Sequence, residues 1–355
     1  MTRVRVCAVT AGTTLPSSRF RVRQHIAPLA GLGVDVTEFR PRVPQAMPTP
    51  GPLAGIRRRH LAPLTAAWLG LHVASRVPAV VGSRASDVVW LERSFVPGLD
   101  GLARLLKRPI ALDVDDAIWL EGLGGRSTPA LARAADLVIA GNRYLADWFS
   151  QYCPRVVIVP TAVDLARLRP TAPRPRRHGV VIGWTGTSGN FPYLASIQEA
   201  LAAVLARVPG AELVVVAERA PNLPALAGRH VRFVPWSAAS EVEALHAMDI
   251  GVMPLDDTPW TRGKCSFKML QYMAAGIPSV VAPVGMNADV LALGPCGLAA
   301  TSPDQWVDAL TALAGDPERR EAMGAAGQGI VASHFDVPVV AARLAEVFRT
   351  LGGGA

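Results

Sequence analysis

The sequence predicts an α/β protein made of two Rossmann-like domains, each with a doubly wound parallel sheet. Three observations support this prediction. The chain has 355 residues, more than one hydrophobic core usually organises. Short β-branched runs alternate with Ala- and Leu-rich segments, as in parallel sheets that helices cover on both faces. A basic segment with three prolines, Arg169–His178, interrupts the alternation and is typical of a linker.

The predicted strands are short runs of apolar, mostly β-branched residues. The first domain, residues 1–168, contains Val4–Val9, Val34–Phe39, Asp87–Leu91, Ile110–Val114, Leu137–Ala140 and Val156–Val159. The second domain, residues 179–335, contains Val180–Trp184, Glu212–Val216, Val231–Val234, Ile250–Met253 and Ser279–Ala282. Segments such as Pro192–Arg207 and Glu241–Met248 predict the covering helices.

The composition limits the classes of function. Half of the residues are hydrophobic and 18% are charged, which excludes a disordered charged chain. A net charge of +8 fits a nucleic acid, an anionic membrane or a phosphorylated substrate. Arginines spread over both domains, with only 6% aromatic residues, argue against nucleic acid. No G-x-G-x-x-G follows the first strand, which argues against a dinucleotide-dependent dehydrogenase.

The cysteines and the apolar segments bear on metal binding and on location. The four cysteines lie far apart and near no histidine cluster, so we expect no metal site, no disulfide scaffold and a cytoplasmic protein. The longest apolar stretch, Leu61–Val81, contains two prolines, a histidine and an arginine, and we expect it to be too interrupted to span a bilayer. The basic cluster Arg57–His60 precedes it. Such a cluster beside an apolar helix indicates either peripheral contact with the inner membrane face or a core helix with a charged edge.

Unusual residues follow several predicted strands, where parallel sheets bind their ligands. These segments are Thr10–Arg23, Asp113–Asp116, Gly183–Asn190, Pro254–Lys268 and Pro283–Asn287. Two domains that carry such segments at strand ends facing a cleft indicate an enzyme with two substrates.

The segment Thr261–Pro278 carries the strongest chemical signal. It contains Arg262 and Lys264 in a loop, then a helix that starts near Ser266 and carries Lys268. Free N–H groups and the positive dipole end of a helix favour an anion at this place. The alternative is an ordinary helix–strand unit with solvated charges.

Four segments carry motifs of one known family: Val157–Pro170, Val180–Asn190, Val231–Pro254 and Gln271–Ala282. Together they resemble the large retaining GT-B glycosyltransferase family. Gln271–Ala282, QYMAAGIPSVVA, resembles its motif E-A-M-A-x-G-x-P-V-V-A. Val157–Pro170, Val180–Asn190 and Val231–Pro254 resemble its crossover motif, its glycine-rich loop and the stretch from its base-binding strand to A-D-I-x-V-x-P. The resemblance implies the GT-B fold, a nucleoside diphosphate sugar bound mainly by the second domain, an acceptor bound by the first, and no metal. It also implies a final helix, Asp336–Leu351, that returns to the first domain.

The chain departs from this family at charged positions. The paired glutamates of the family would fall on Gly263 and Gln271, and its cations after the glycine-rich loop are absent. Arg262, Lys264 or Lys268 must then neutralise the diphosphate, while glutamine can still bind ribose hydroxyls. The expected donor-binding residues are Gly186, Thr187, Ser188, Trp236, Arg262, Lys264, Lys268 and Gln271.

In the first domain, the candidate catalytic residues are Asp115 and Asp116 of the segment LDVDDAIW. Asp113, Asp115 and Asp116 are expected to enter the cleft, and Asp115 takes the position of a histidine in the family. It could orient a sugar hydroxyl, or accept a proton if neighbouring carboxylates raised its pKa; the alternative is a helix N-cap. Ser18 and Arg19 are candidate acceptor-binding residues, unless they belong to a solvated basic helix face.

These observations predict a metal-independent, retaining glycosyltransferase of the hexosyltransferase type. Its co-substrate would be a nucleoside diphosphate sugar, with no further cofactor, and its acceptor a small molecule, a glycan or a lipid-linked compound. The alternative is a catalytically weak or inactive nucleotide-sugar-binding protein of the same fold, because the first paired glutamate is missing.

Overall fold

The computed structural model describes residues 3–13, 15–43, 62–171 and 179–353. The chain divides into two compact units, residues 1–161 with 340–355, and residues 162–339. The predicted basic cluster Arg57–His60 and most of the predicted linker, residues 172–178, lie outside the described residues.

Each unit contains a six-stranded parallel sheet, which confirms the predicted α/β class. The strands of the first unit are β1 (Val4–Val9), β2 (Val34–Phe39), β3 (Val88–Glu92), β4 (Ile110–Val114), β5 (Leu137–Ala140) and β6 (Val156–Ile158). Those of the second are β7 (Val181–Thr185), β8 (Glu212–Ala217), β9 (Val231–Pro235), β10 (Ile250–Met253), β11 (Ser279–Val281) and β12 (Gly297–Ala299). The sheet orders are β2-β1-β3-β4-β5-β6 and β12-β11-β10-β7-β8-β9.

α-Helices connect most of the successive strands along the chain. The first unit contains α1 (Ile26–Gly31), α2 (Ala62–Ser83), α3 (Gly122–Gly125), α4 (Thr128–Ala134) and α5 (Arg143–Phe149). They are followed by α6 (Leu165–Leu168), α7 (Phe191–Ala195), α8 (Gln198–Arg207), α9 (Glu241–His246), α10 (Pro259–Arg262), α11 (Phe267–Ala274), α12 (Met286–Leu291), α13 (Pro303–Gly315) and α14 (Pro317–His334). The last helix, α15 (Val337–Gly352), reaches the first unit, where Phe348 packs 5.0 Å from the ring of Trp90.

The structure corrects three details of the predicted elements. Strand β12 was not predicted, because its three residues, Gly297–Ala299, include no β-branched side chain. The single helix expected over Pro192–Arg207 is two helices, α7 and α8, separated by Ser196 and Ile197. The stretch expected to be too interrupted to span a bilayer forms the continuous helix α2, in which Pro63–Ser83 is long and apolar enough to cross a membrane by length and composition.

Candidate active site

Helix α11 is fixed against the sheet of the second unit by Tyr272. The buried hydroxyl of Tyr272 accepts a hydrogen bond from the Thr185 amide at 3.1 Å and donates to the Val252 carbonyl at 3.4 Å. Gly251 leaves room for the ring, since a Cβ there would lie 2.4 Å from a ring carbon of Tyr272. Because Thr185 ends β7, this contact places the first turn of α11 beside the glycine-rich loop.

The residue before α11 has a strained backbone. Ser266 precedes the helix with φ +53°, in the left-handed region that is unusual for a residue other than glycine. Its buried hydroxyl donates to Asn287 Oδ1 at 2.7 Å, and the Asn287 amide donates to the Ala282 carbonyl at 2.9 Å. The turn after β11 therefore holds the start of α11 in place.

Lys268, in the first turn of α11, lies against the glycine-rich loop. Its ammonium is 5.1 Å from the centre of the Trp184 ring, within cation–π range. A Cβ on Gly186 would lie 2.6 Å from Lys268 Cε, so the loop has room for this lysine only because residue 186 is glycine. Burial, and then the charge of Lys264, lower the pKa of Lys268 to about 7. An anion bound here would stabilise the charged form.

The other two predicted cations have different surroundings. Arg262 is exposed and forms an ion pair with Asp257 at 2.6 Å. Lys264 is half-buried, with its ammonium 5.4 Å from the centre of the Trp260 ring. The contact of Lys268 with Trp184 was not predicted, because it joins a helix to a distant strand that local periodicity does not relate to it.

The glycine-rich loop after β7 is exposed at Thr187 and half-buried at Ser188. The Asn190 amide donates to Thr187 Oγ1 at 2.9 Å, and the Ser188 N–H donates to the carboxylate of Glu218 at 2.8 Å. Glu218 therefore accepts a hydrogen bond from one N–H of the glycine-rich loop. It was not predicted, since it follows a different strand, β8.

Gln271 is buried and belongs to a chain of polar contacts. Its amide donates to Glu241 at 3.4 Å, and the other carboxylate oxygen of Glu241 pairs with Arg167 at 2.7 Å. A buried carboxylate thus lies beside the amide that stands where the family has glutamate. The predicted role of Gln271 in ribose binding stays a prediction, and Glu241 is a further candidate.

Trp236 is another predicted donor-binding residue. It follows β9 and is 43% exposed, while its amide donates to the Ala217 carbonyl at 2.8 Å. An exposed indole at a strand end is available to a ligand, so this residue stays a prediction.

In the first unit, Asp113 is a structural residue. Its carboxylate is buried, pairs with Arg21 at 2.7 Å and accepts from Trp90 Nε1 at 2.9 Å. Burial raises the pKa of Asp113 to about 6, against the opposing effects of Arg21 and Trp90. The expectation that Asp113 enters a ligand site is therefore wrong.

The predicted catalytic pair Asp115 and Asp116 surrounds an arginine. Arg93 donates to Asp115 at 2.9 Å and to Asp116 at 2.8 Å, and it also pairs with Glu121. Burial would lower the pKa of Arg93, but the three carboxylates outweigh that effect and raise it well above its ordinary value. The carboxylate neighbours expected for Asp115 are thus accompanied by a cation. The short 3₁₀ helix that follows, Ile118–Leu120, has no side-chain cap. The alternative role of Asp115 or Asp116 as its N-cap is therefore not observed.

Arg93 was not predicted, and the structure shows that its backbone is unusual. It follows β3 with φ +61°, and its amide donates to the Asp113 carbonyl at 2.8 Å. In the sequence, Arg93 lies between Glu92 and Ser94, and nothing there distinguishes it from a solvated arginine. The approach of two strand ends, β3 and β4, creates the cluster.

Ser18 does not present its hydroxyl to an acceptor. The side chain is fully buried and donates to Glu92 at 2.5 Å, and the Ala11 amide donates to the same carboxylate oxygen at 2.8 Å. The predicted acceptor contact of Ser18 is therefore wrong, because the hydroxyl fixes the loop after β1. Arg19 is half-buried, with its guanidinium 4.7 Å from the centre of the Phe20 ring, and its acceptor role stays a prediction.

Within the described parts of the chain, no three His, Cys, Asp or Glu side chains are grouped as metal ligands usually are. The four cysteines, all within the described residues, are buried and form no disulfide.

Comparisons with known proteins agree with this architecture. A sucrose-phosphate synthase from Thermosynechococcus elongatus superposes with a TM-score of 0.72 at 16% identity, over 99% of this chain and all of that one. The Anabaena protein HepE in complex with UDP-glucose superposes with a TM-score of 0.71 at 16% identity, over 98% and 100%. The two parallel-sheet units thus define a GT-B glycosyltransferase fold, as the sequence predicted.

Sequence comparison relates part of the chain to a known family. Residues 180–316 match the family model described as Glycosyl transferases group 1. A GDP-mannose-dependent alpha-(1-6)-phosphatidylinositol monomannoside mannosyltransferase from Mycobacterium tuberculosis is 32% identical over 167 residues. That match covers 42% of each protein, so the chain spans less than half the length of the curated relatives it matches. The partial family match and the fold both agree with the predicted resemblance to the GT-B glycosyltransferases.

Proposed function

We propose that this protein is a retaining, metal-independent glycosyltransferase that uses a nucleoside diphosphate sugar. The observation that carries the proposal is the placement of Lys268. Its side chain lies against Gly186 in the glycine-rich loop, which has no cation of its own, and at the start of α11. A lysine and the positive dipole end of a helix at one place make a binding site for a diphosphate.

The same placement favours the transfer step. When the bond from the sugar to the diphosphate breaks, negative charge grows on the leaving oxygen. A fixed cation stabilises this charge more in the transition state than in the bound donor, and so lowers the barrier. Because protein groups supply this charge, we propose that no metal takes part. Retention of configuration is proposed from the resemblance to the retaining GT-B family.

In the first unit, we propose that Asp115 orients the acceptor hydroxyl. The Arg93 guanidinium holds the carboxylate at 2.9 Å in one orientation, and the Asp115 side chain keeps 14% of its surface exposed. A held carboxylate with an accessible edge can accept a hydrogen bond from a hydroxyl. Arg19 would contact the rest of the acceptor.

The acceptor and location are proposed from the mycobacterial relative, whose name gives phosphatidylinositol monomannoside as its substrate. We propose a glycan or lipid-linked acceptor and a cytoplasmic protein at the inner membrane face. For the donor, the relatives name GDP-mannose and UDP-glucose.

Ligand-induced thermal shift with UDP, GDP, dTDP and ADP tests the donor site. A nucleotide at 100 times its Kd stabilises the protein by roughly 2.7 kcal/mol, so one of the four should raise the Tm clearly. If none shifts the Tm at millimolar concentration, the proposed donor site is wrong.

A second candidate function is favoured by Gly263, which stands where the family carries its first paired glutamate. A protein without that carboxylate could bind the nucleotide sugar and not transfer it. Incubation with radiolabelled donors separates the two functions, because even a slow transferase hydrolyses its donor. Binding without any release of labelled sugar would favour the second candidate.

A further inference from the structure

Helix α2 has one face anchored to the sheet of the first unit. Its buried side carries Arg76, whose guanidinium donates to the carbonyls of Phe95 at 2.6 Å and Thr10 at 2.8 Å. The Ala79 carbonyl accepts from Cys7 of β1, and Phe39 of β2 packs under Gly82. These contacts bind α2 to two strands.

The opposite face of α2 is apolar and exposed. Over 22 residues the helix contains no Asp or Glu, and its one Lys or Arg, Arg76, is on the buried side. The exposed residues are Pro63, Leu64, Ala66, Ala67, Gly70, Leu71, Ala74, Val77, Pro78 and Val81. At 100° per residue they cover a continuous sector of roughly 160°. We call these ten residues the α2 apolar face.

This face does not have the surroundings of an ordinary core helix. Only 17% of the most apolar 18-residue stretch of α2 is buried, and Leu71 and Val81 are 61% and 66% exposed. A large exposed apolar patch usually marks a contact with a partner or a membrane. The helix cannot cross a bilayer while the buried Arg76 is bonded to the sheet, so a membrane would have to meet it side-on.

The charges at the end of the helix favour a lipid surface. Arg84 and Arg104 are exposed there, and Arg84 donates to the carbonyl of Leu105, a leucine that is itself 46% exposed. The Lys107 amide donates to Ser83 Oγ at 3.0 Å, so this basic loop adjoins the last residue of α2. Arginines beside an apolar helix that lacks acidic residues match anionic headgroups above acyl chains, and the net charge of +8 adds attraction.

We propose that the α2 apolar face docks in the plane of an anionic lipid bilayer, with Arg84 and Arg104 at the headgroups. The inference deepens the proposed function, since it names the surface by which the enzyme would reach a lipid-linked acceptor.

The test is sedimentation of the full chain with vesicles of phosphatidylcholine and phosphatidylglycerol, and with vesicles of phosphatidylcholine alone. Wild-type protein should bind the anionic vesicles, and Leu71→Glu should weaken that binding about tenfold or more, because an exposed leucine can bury its whole side chain in lipid. Leu293→Glu is the matched control, since Leu293 is a 45% exposed leucine of the second unit. This control should bind like the wild type.

Two results would overturn the proposal. One is equal sedimentation of Leu71→Glu and wild-type protein. The other is that wild-type protein does not bind vesicles and is a dimer in light scattering, whereas Leu71→Glu is a monomer. That result would assign the face to a second copy of the chain. Nucleotide-induced thermal shift is measured on the same samples. Vesicle binding without a nucleotide shift would keep the docking surface and reject the proposed donor site.

Discussion

The two regions expected to carry the chemistry differ in how their cations are compensated. In the second unit, Lys268 rests on an indole, and its charged neighbour is Lys264, which lowers its pKa further. In the first unit, Arg93 is surrounded by Asp115, Asp116 and Glu121. The first arrangement is short of negative charge and suits an anionic ligand. The second already contains its anions, which suits a group that positions a neutral hydroxyl.

The largest expected effect is that of Lys268→Ala. It should reduce transition-state stabilisation, measured through kcat/KM, by about 2–4 kcal/mol, which is comparable to the loss of one hydrogen-bond donor to a developing oxyanion. It should also weaken nucleoside diphosphate binding. Steady-state kinetics and calorimetric Kd values check this. Lys107→Ala is the control, since Lys107 donates to the Ser86 carbonyl in the first unit and should leave the nucleotide Kd unchanged. Wild-type values for Lys268→Ala would make the lysine an ordinary surface residue.

Asp115→Asn tests the first region. The amide keeps the shape of the side chain and loses its charge, so kcat should fall by roughly 10²-fold while the nucleotide Kd stays the same. Glu121→Gln is the matched control, because it removes another carboxylate from Arg93 away from the strand end. If both variants lose the same activity, Asp115 acts only by neutralising Arg93.

Gly186→Ala tests the room made for Lys268. The added Cβ would lie 2.6 Å from Lys268 Cε and 2.8 Å from the Trp184 ring, and such crowding typically costs about 1–3 kcal/mol. Nucleotide affinity should fall about tenfold in a titration. Gly189→Ala in the same loop is the control, because its Cβ would meet only Thr187 Oγ1, at 4.0 Å. Equal affinities for the two variants would show that the lysine does not need this space.

The smallest expected effect is that of metal removal. Turnover in excess EDTA should equal that of untreated protein, because protein cations neutralise the leaving diphosphate. A loss that only Mg²⁺ or Mn²⁺ restores would contradict this prediction.

The sequence predicted the fold well because each strand can be identified from a short local run of residues. All eleven predicted strands exist, with ends shifted by one residue at most, since a buried parallel strand is a continuous apolar run. The site was harder. Lys268 could be selected as a cation at a helix start, but Trp184 beneath it lies in a different strand. Ser18 looked accessible in a polar loop and is buried against Glu92 of β3. Such contacts depend on which strand ends are neighbours, which periodicity does not encode.

The role of Lys268 is tested most directly by the pH dependence of nucleotide binding. Burial and Lys264 hold the pKa of the free lysine near 7, well below its ordinary 10.5, so above pH 7 the free protein loses the charge that the diphosphate needs. Nucleoside diphosphate affinity of the wild type should therefore fall as pH rises from 6.5 to 9, by up to about tenfold per pH unit. Lys268→Arg stays charged throughout, so it should bind more weakly at low pH and show only the titration of the nucleotide itself. Parallel affinity–pH curves for the two proteins would contradict a diphosphate contact by Lys268.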